Sequence, residues 1–154
     1  MALPTQRDYE EQSVTQLAIF LSNRVGELRE VLRKLASAKV VVHALSIDES
    51  VDYAVLRLVV DKVEASKQAL RGAGFPVSES TLLAVELPDD HAAMLEICQA
   101  LIQAEINIHY AYPMFTRPHG KGVVVLHVDS FSSAAEVLKK SGMSLLDERD
   151  LALA

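Results

Sequence analysis

LREVLRKLASAKVVVHALS (residues 28–46) and MLEICQALIQAEINIHYAY (residues 94–112) decide the fold, because they are two copies of one pattern. Glu30 aligns with Glu96, Leu35 with Leu101, Ala38 with Ala104 and His43 with His109, at a constant offset of 66 residues. Upstream, Leu17-Ala18-Ile19 matches Leu83-Ala84-Val85 and Asn23 matches Asp89. Downstream the offset becomes 68, so that Val60-Asp61 meets Val128-Asp129 and Gly74 meets Gly142. One loop of the second half therefore holds two extra residues. Two small modules in tandem are implied, and function is to be sought where they meet.

Within the first copy the periodicities change in a readable order. Thr15 to Leu21 alternates as a strand, with Leu17, Ile19 and Leu21 on one face. Asn23-Arg24-Val25-Gly26 is turn chemistry, an Asx cap followed by a glycine. From Glu27 the apolar residues Leu28, Val31, Leu32 and Leu35 follow helical spacing. Val40–Ile47 and Tyr53–Val60 are β-rich around an Asp48-Glu49-Ser50 turn, and Val63, Ser66, Leu70 and Ala73 outline a second helix. Pro76 to Ser80 can add a short last strand. The second copy repeats the order as strand 82–87, helix 92–104, strands 106–112 and 122–128, helix 131–141 and strand 143–147. Two tandem ferredoxin-like βαββαβ modules of the α+β class follow, each an antiparallel sheet with helices on one face. Residues 1–13 read as a polar lead-in, 14–80 as the first module and 81–150 as the second.

The face of the sheets away from the helices is apolar in this reading. Alternation puts Val55, Arg57 and Val59 there, with Val41, Leu45, Ile47 and Phe20, and in the second half Val123, Val125 and His127. A wet antiparallel face should be polar, so the pattern predicts that these faces are covered. Closure by a two-fold homodimer is the expected way to do it.

Composition removes several function classes. Half the residues are apolar, yet no run approaches the ~20 needed to cross a bilayer. MALPTQRDYEEQS lacks the apolar stretch of a signal peptide. A net charge of −6 and no Trp argue against nucleic acid, where phosphate neutralisation dominates. The single Cys98 suits a reducing compartment, and a cytoplasmic protein is expected. Cys98 aligns with the core residue Leu32, so it reads as a buried packing thiol. His43, His91, His109, His119 and His127 contain no helical i, i+4 pair, and no metal or cofactor is expected. His43 and His109 read as satisfied histidines on the covered face, with Arg57 or Glu86 as a candidate ion-pair partner. Asp89-Asp90 precedes a helix and reads as a pair of charges at its positive end. Thr116–Gly122 reads as a long hairpin holding the two extra residues. Nothing assembles a nucleophile, a base and an oxyanion site, so the chain is read as no enzyme.

The strand from Leu17, then Asn-Arg-Val-Gly-Glu-Leu opening a helix, then Ala-Ser-Ala-Lys-Val-Val-Val-His returning to a strand, resembles the ACT domain. The resemblance spans roughly residues 15 to 150 in two copies. It implies a non-catalytic, allosteric regulatory sensor that binds an amino acid between ACT-like modules. The alternative it leaves is a regulatory subunit of a metabolic enzyme whose own pocket has degenerated. The family's turn is of the type Asn-x-Pro-Gly, with a polar residue early in the second strand. The first repeat keeps Asn23 and Gly26, with Val25 in the Pro place and Val41 at the strand position. The second carries Asp89 and Ala92 in its loop but Asn107 on its strand. The resemblance therefore implies one composite ligand site, from Ser22, Asn23, Arg24, Val25, Gly26, Glu27 and Leu28 of one repeat and Asn107 and His109 of the other.

Overall fold

In a computed structural model of the chain, residues 12–22, 24–88 and 92–152 are described. Asn23, Asp89, Asp90, His91 and most of the polar lead-in lie outside these residues, so their expected capping roles do too. The chain divides into two compact units, Thr15–Ser80 and one built from Thr81 onward.

In the first unit, β1 (Val14–Ser22) leads to α1 (Glu27–Ser37), β2 (Val42–Glu49), β3 (Tyr53–Val60), α2 (Val63–Gly72) and β4 (Val77–Leu87). The strands lie in the order β2-β3-β1-β4. Leu17, Ile19 and Leu21 pair across to Leu58, Leu56 and Ala54, which puts one apolar face of β1 and β3 in a single layer. Val31 and Leu35 of α1 and Leu70 of α2 close on that layer, and all but Leu21 of these larger side chains are wholly buried. Burying a Leu- or Ile-sized side chain contributes about 1.5–3 kcal/mol, so the helical spacing read in the sequence stabilises the module directly.

The second unit repeats the plan with α3 (Ala93–Gln103), β5 (Ile108–Pro113), β6 (Gly122–Val128), α4 (Phe131–Lys140) and β7 (Leu145–Leu146). Its strands are ordered β5-β6-β4, with β7 on the other side of β4. Leu83 and Val85 pair with Leu126 and Val124 and pack against Ile97, Leu101, Ala134 and Leu138. Both modules thus have the antiparallel, helices-on-one-face arrangement that the duplication predicts.

The repeat extends to backbone detail. Each second strand carries a register shift at the same place, between Val42 and Ala44 and between Ile108 and Tyr110. Lys39 and Glu105 both take a φ of 57°, ending the helices in the left-handed region. Each following strand is then tied at its start. The Val41 N–H donates to Asp61 Oδ1 (2.8 Å) and the Asn107 N–H to Asp129 Oδ1 (3.3 Å). Each aspartate returns its own N–H to the carbonyl of the residue that it holds.

Several expectations need correction. The shift at His43 turns the rest of β2 over, so Leu45 and Ile47 pair with Leu58 and Leu56 and face the helices. Simple alternation had put them on the opposite face, and Val41 precedes the strand. A bulge adds one residue, and a one-residue change flips every side chain beyond it. Ala44, Ser46 and Asp48 take the second face instead, opposite Val59, Arg57 and Val55. The expected strands at 76–80 and 82–87 are one strand, because Ser78-Glu79-Ser80-Thr81 contains no residue that breaks β structure. The strand expected at 143–147 is only Leu145–Leu146, and a short helix, α5 (Glu148–Ala152), follows it. Asp147 opens that helix, its Oδ1 accepting the N–H groups of Arg149 (2.9 Å) and Asp150 (3.3 Å). Cys98 and its counterpart Leu32 are partly rather than fully buried.

Candidate functional site

The first module's turn is built by backbone geometry. The Arg24 N–H donates to the Ser22 carbonyl (2.7 Å), and α1 starts five residues after β1 ends. Gly26 stands at the helix entrance with φ 91°, a conformation that a side chain would strain. A Cβ placed there would meet nothing within 4 Å. The glycine is thus required for its dihedral angle, and the protein's own atoms do not crowd it. The Ser22 hydroxyl donates to Glu27 Oε1 (2.9 Å), binding the strand end to the first helical turn. Among the described residues no side chain caps α1. The Glu27 N–H donates to the Arg24 carbonyl (3.5 Å), and the amide groups of this first turn lie at the positive end of the helix dipole, which suits an anion.

Beside this turn is a cleft of about 330 Å³. Leu21, Leu28, Ile47 and Ala54 give it apolar walls, and Arg24, Glu27 and Glu49 give it charge. Six of the nine residues expected from the sequence line it together: Ser22, Arg24, Val25, Gly26, Glu27 and Leu28. Asn23 is outside the described residues. Leu21, Ile47, Glu49 and Ala54 were missed. Leu21, Ala54 and Glu49 form one cross-strand row, and Ile47 joins them only because the bulge turned it over. A strand ending beside the loop was the available signal; the bulge was not.

The other expected residues belong to the second unit. Asn107 is exposed, and its backbone makes the same clamp with Asp129 that Val41 makes with Asp61. His109 is exposed at the bulge, whereas His43 is fully buried, so the two are not equivalent in environment as expected. The His109 ring lies 5.3 Å from that of His127, which stacks on Tyr110 at 4.8 Å and 7°. In the second module's loop Ala92 takes φ −87°, an ordinary helical value, where Gly26 takes 91°.

His119, read in the sequence as part of a plain hairpin, joins an ion cluster. Its Nδ1 contacts Glu86 Oε1, and its Nε2 lies 3.1 Å from Asp150 Oδ1. Glu86, read as a candidate partner for a histidine of the covered face, contacts His119 of the hairpin, and Arg57 contacts Asp48. The signal for this cluster was a carboxylate in the middle of an apolar strand face.

The family model of the ACT domain pair matches residues 12–154. The chain belongs to the ACT domain pair family. No curated protein matches it in sequence. Among solved structures, this ACT domain pair is similar to a protein of Bacteroides thetaiotaomicron, with 29% identity and a TM-score of 0.84, over 93% of this chain and 98% of that one. It shares its fold with the regulatory subunit of aspartate kinase from Thermus thermophilus, at 14% identity and a TM-score of 0.60, over 84% and 93% of the two chains. The corresponding subunit from Thermus flavus gives 14% identity and a TM-score of 0.53, over 83% and 92%. No helix among the described residues is long and apolar enough to cross a membrane.

Proposed function

We propose that this ACT domain pair is a regulatory sensor and that the cleft of its first module binds one free amino acid with an aliphatic side chain. The observation that carries the reading is the cleft itself, at a helix N-terminus entered through a left-handed Gly26 and without a capping side chain among the described residues. Amide groups at such an end, helped by the Arg24 guanidinium, suit a carboxylate. Leu21, Leu28, Ile47 and Ala54 suit an aliphatic side chain, and Glu49 supplies an acceptor at the rim for an ammonium group. The volume of about 330 Å³ is near the lower end of small-molecule sites, roughly 300–1,000 Å³, which favours an amino acid over a nucleotide.

Asn107 and His109 enter the proposal through the family resemblance, and so does an oligomeric or enzyme partner that reads the occupancy. The Thermus relatives, regulatory subunits of an aspartate kinase by description, are in keeping with such a partner. Thermal denaturation against the twenty amino acids tests the reading. An aliphatic amino acid at about 100 times its dissociation constant should add about 2.7 kcal/mol and raise the melting temperature. No rise with any of the twenty overturns it.

A further inference from the structure

The second module ends differently from the first, and the difference is a charge buried on an apolar face. Glu86 is only 7% exposed and sits on the second face of the sheet, paired across to Val123, with Ala84 and Val125 in the next row. A carboxylate in such a setting is costly unless a cation or donors reach it. The repeat equivalent of Glu86 is Phe20, which instead makes a ring contact with Tyr53. Nothing in the plan of the fold therefore demands an acid here.

Three segments meet at His119: the β5–β6 hairpin that carries it, β4 through Glu86, and α5 through Asp150. Both ring nitrogens of His119 face a carboxylate oxygen. Only an imidazolium can donate to both, since a neutral ring has one donor. We propose that His119 is a proton-operated clasp that fastens α5 to the second module, closed when the ring is protonated and open when it is not. The part that it holds is a packed one: Leu151 of α5 is 1% exposed, and so is Leu146 just before it.

The charges around the clasp fit this role. Glu86 on β4 and Asp150 on α5 both act on the ring. On α5, Arg149 is engaged with Asp147 at 2.8 Å. Burial pushes the Asp147 carboxyl up, but the bonds from Arg149 and from the Asp150 and Arg149 backbone N–H groups outweigh it, holding the carboxyl below its usual range. Asp147 therefore remains ionised when the histidine titrates. Arg117 and Lys121 are the other charges of the hairpin, and Lys121 lines a small pocket with Glu86. Among the described residues no cluster of three His, Cys, Asp or Glu side chains is arranged to hold a metal ion.

The hydrogen bond to Glu86, together with its charge and that of Asp150, outweighs partial burial and raises the His119 pKa above its ordinary 6.5. A raised folded-state pKa stabilises the closed form fully below the unfolded value. That stabilisation is lost as pH rises through the raised pKa. The clasp is thus shut in mildly acidic solution and opens toward alkaline pH.

Hydrogen exchange of the full chain, corrected for intrinsic rates, reads this directly in residues 148–152. Their protection should fall by about tenfold or more from about pH 5.5 to about pH 8.5. In His119→Gln it should stay low and flat across that range. Asp150→Asn keeps an acceptor for the Asp147 N–H but loses one side of the clasp, and should blunt the pH response without unfolding the module. Protection that is flat with pH in the wild type overturns the proposal, as does a pH response that survives unchanged in both variants. The result is independent of ligand binding by the first module, so either reading can fail alone.

Discussion

The two modules share one backbone plan and end in opposite chemistry. At the mouth of the first, Gly26 at φ 91° opens a cleft, and Phe20 meets Tyr53 on the face behind it. At the same end of the second, Ala92 at φ −87° starts the helix without a left-handed entry, and His119 stands between Glu86 and Asp150. Features set by the backbone are duplicated: the bulges at His43 and His109, the left-handed Lys39 and Glu105, and the clamps of Asp61 and Asp129. A frame fixed by strand pairing and a helical core leaves its loop ends free to diverge. Duplication here preserved the scaffold and not the chemistry of the loop ends.

The largest effect should come from striking the shared frame. Leu58 and Leu126 are repeat equivalents, both wholly buried. Leu58→Ala and Leu126→Ala should each cost about 2–5 kcal/mol, read by chemical denaturation. A cost under about 1 kcal/mol at either one would show that its module does not depend on the core described.

A smaller effect should separate the two loops. Gly26→Val places a β-branched residue in the left-handed region and should cost about 1–2 kcal/mol while weakening any ligand binding. Ala92→Gly, at an N-cap with an ordinary helical angle, should change stability by only a few tenths of a kcal/mol and leave ligand binding as it is. Equal stability and binding in the two variants would break the distinction between an open and a closed loop.

The smallest effect should sharpen the likeness. Asp61→Ala and Asp129→Ala each remove one clamp and should cost about 0.5–1.5 kcal/mol, Asp61 more because its bond is the shorter, 2.8 against 3.3 Å. Double-jump denaturation that finds the reverse order would mean the clamps are not equivalent.

Much of the fold was legible because it was written twice. Helical spacing at Val31 and Leu35 and again at Ile97 and Leu101 fixed the helices and their inner faces. The bulge was not legible. No residue at His43 or His109 announces one, since a bulge is set by the pairing of a strand with its neighbour, not by local propensity. That one miss misplaced Leu45 and Ile47 and hid Ile47 from the candidate site. The turn residues of the cleft were visible through Gly26, whereas Glu49 and Ala54 arrive through cross-strand register that a single strand does not encode. For α5 the clues were local, in Asp147-Glu148-Arg149-Asp150, an N-cap aspartate with acids in the first turn. The ion cluster at His119 needed three distant segments together. Only the oddity of Glu86 among valines and leucines marked it in advance.

If the first module's loop is the ligand site and its counterpart is not, the two loops should respond differently to an amino acid. An amide NMR titration of the full chain with the aliphatic amino acids tests it most directly. Saturable shifts are expected at Arg24, Val25, Gly26, Glu27 and Leu28, with Ile47 and Glu49, and none at Ala92–Glu96. Shifts centred on Ala92–Glu96, or no saturable shift with any of these amino acids, would contradict it.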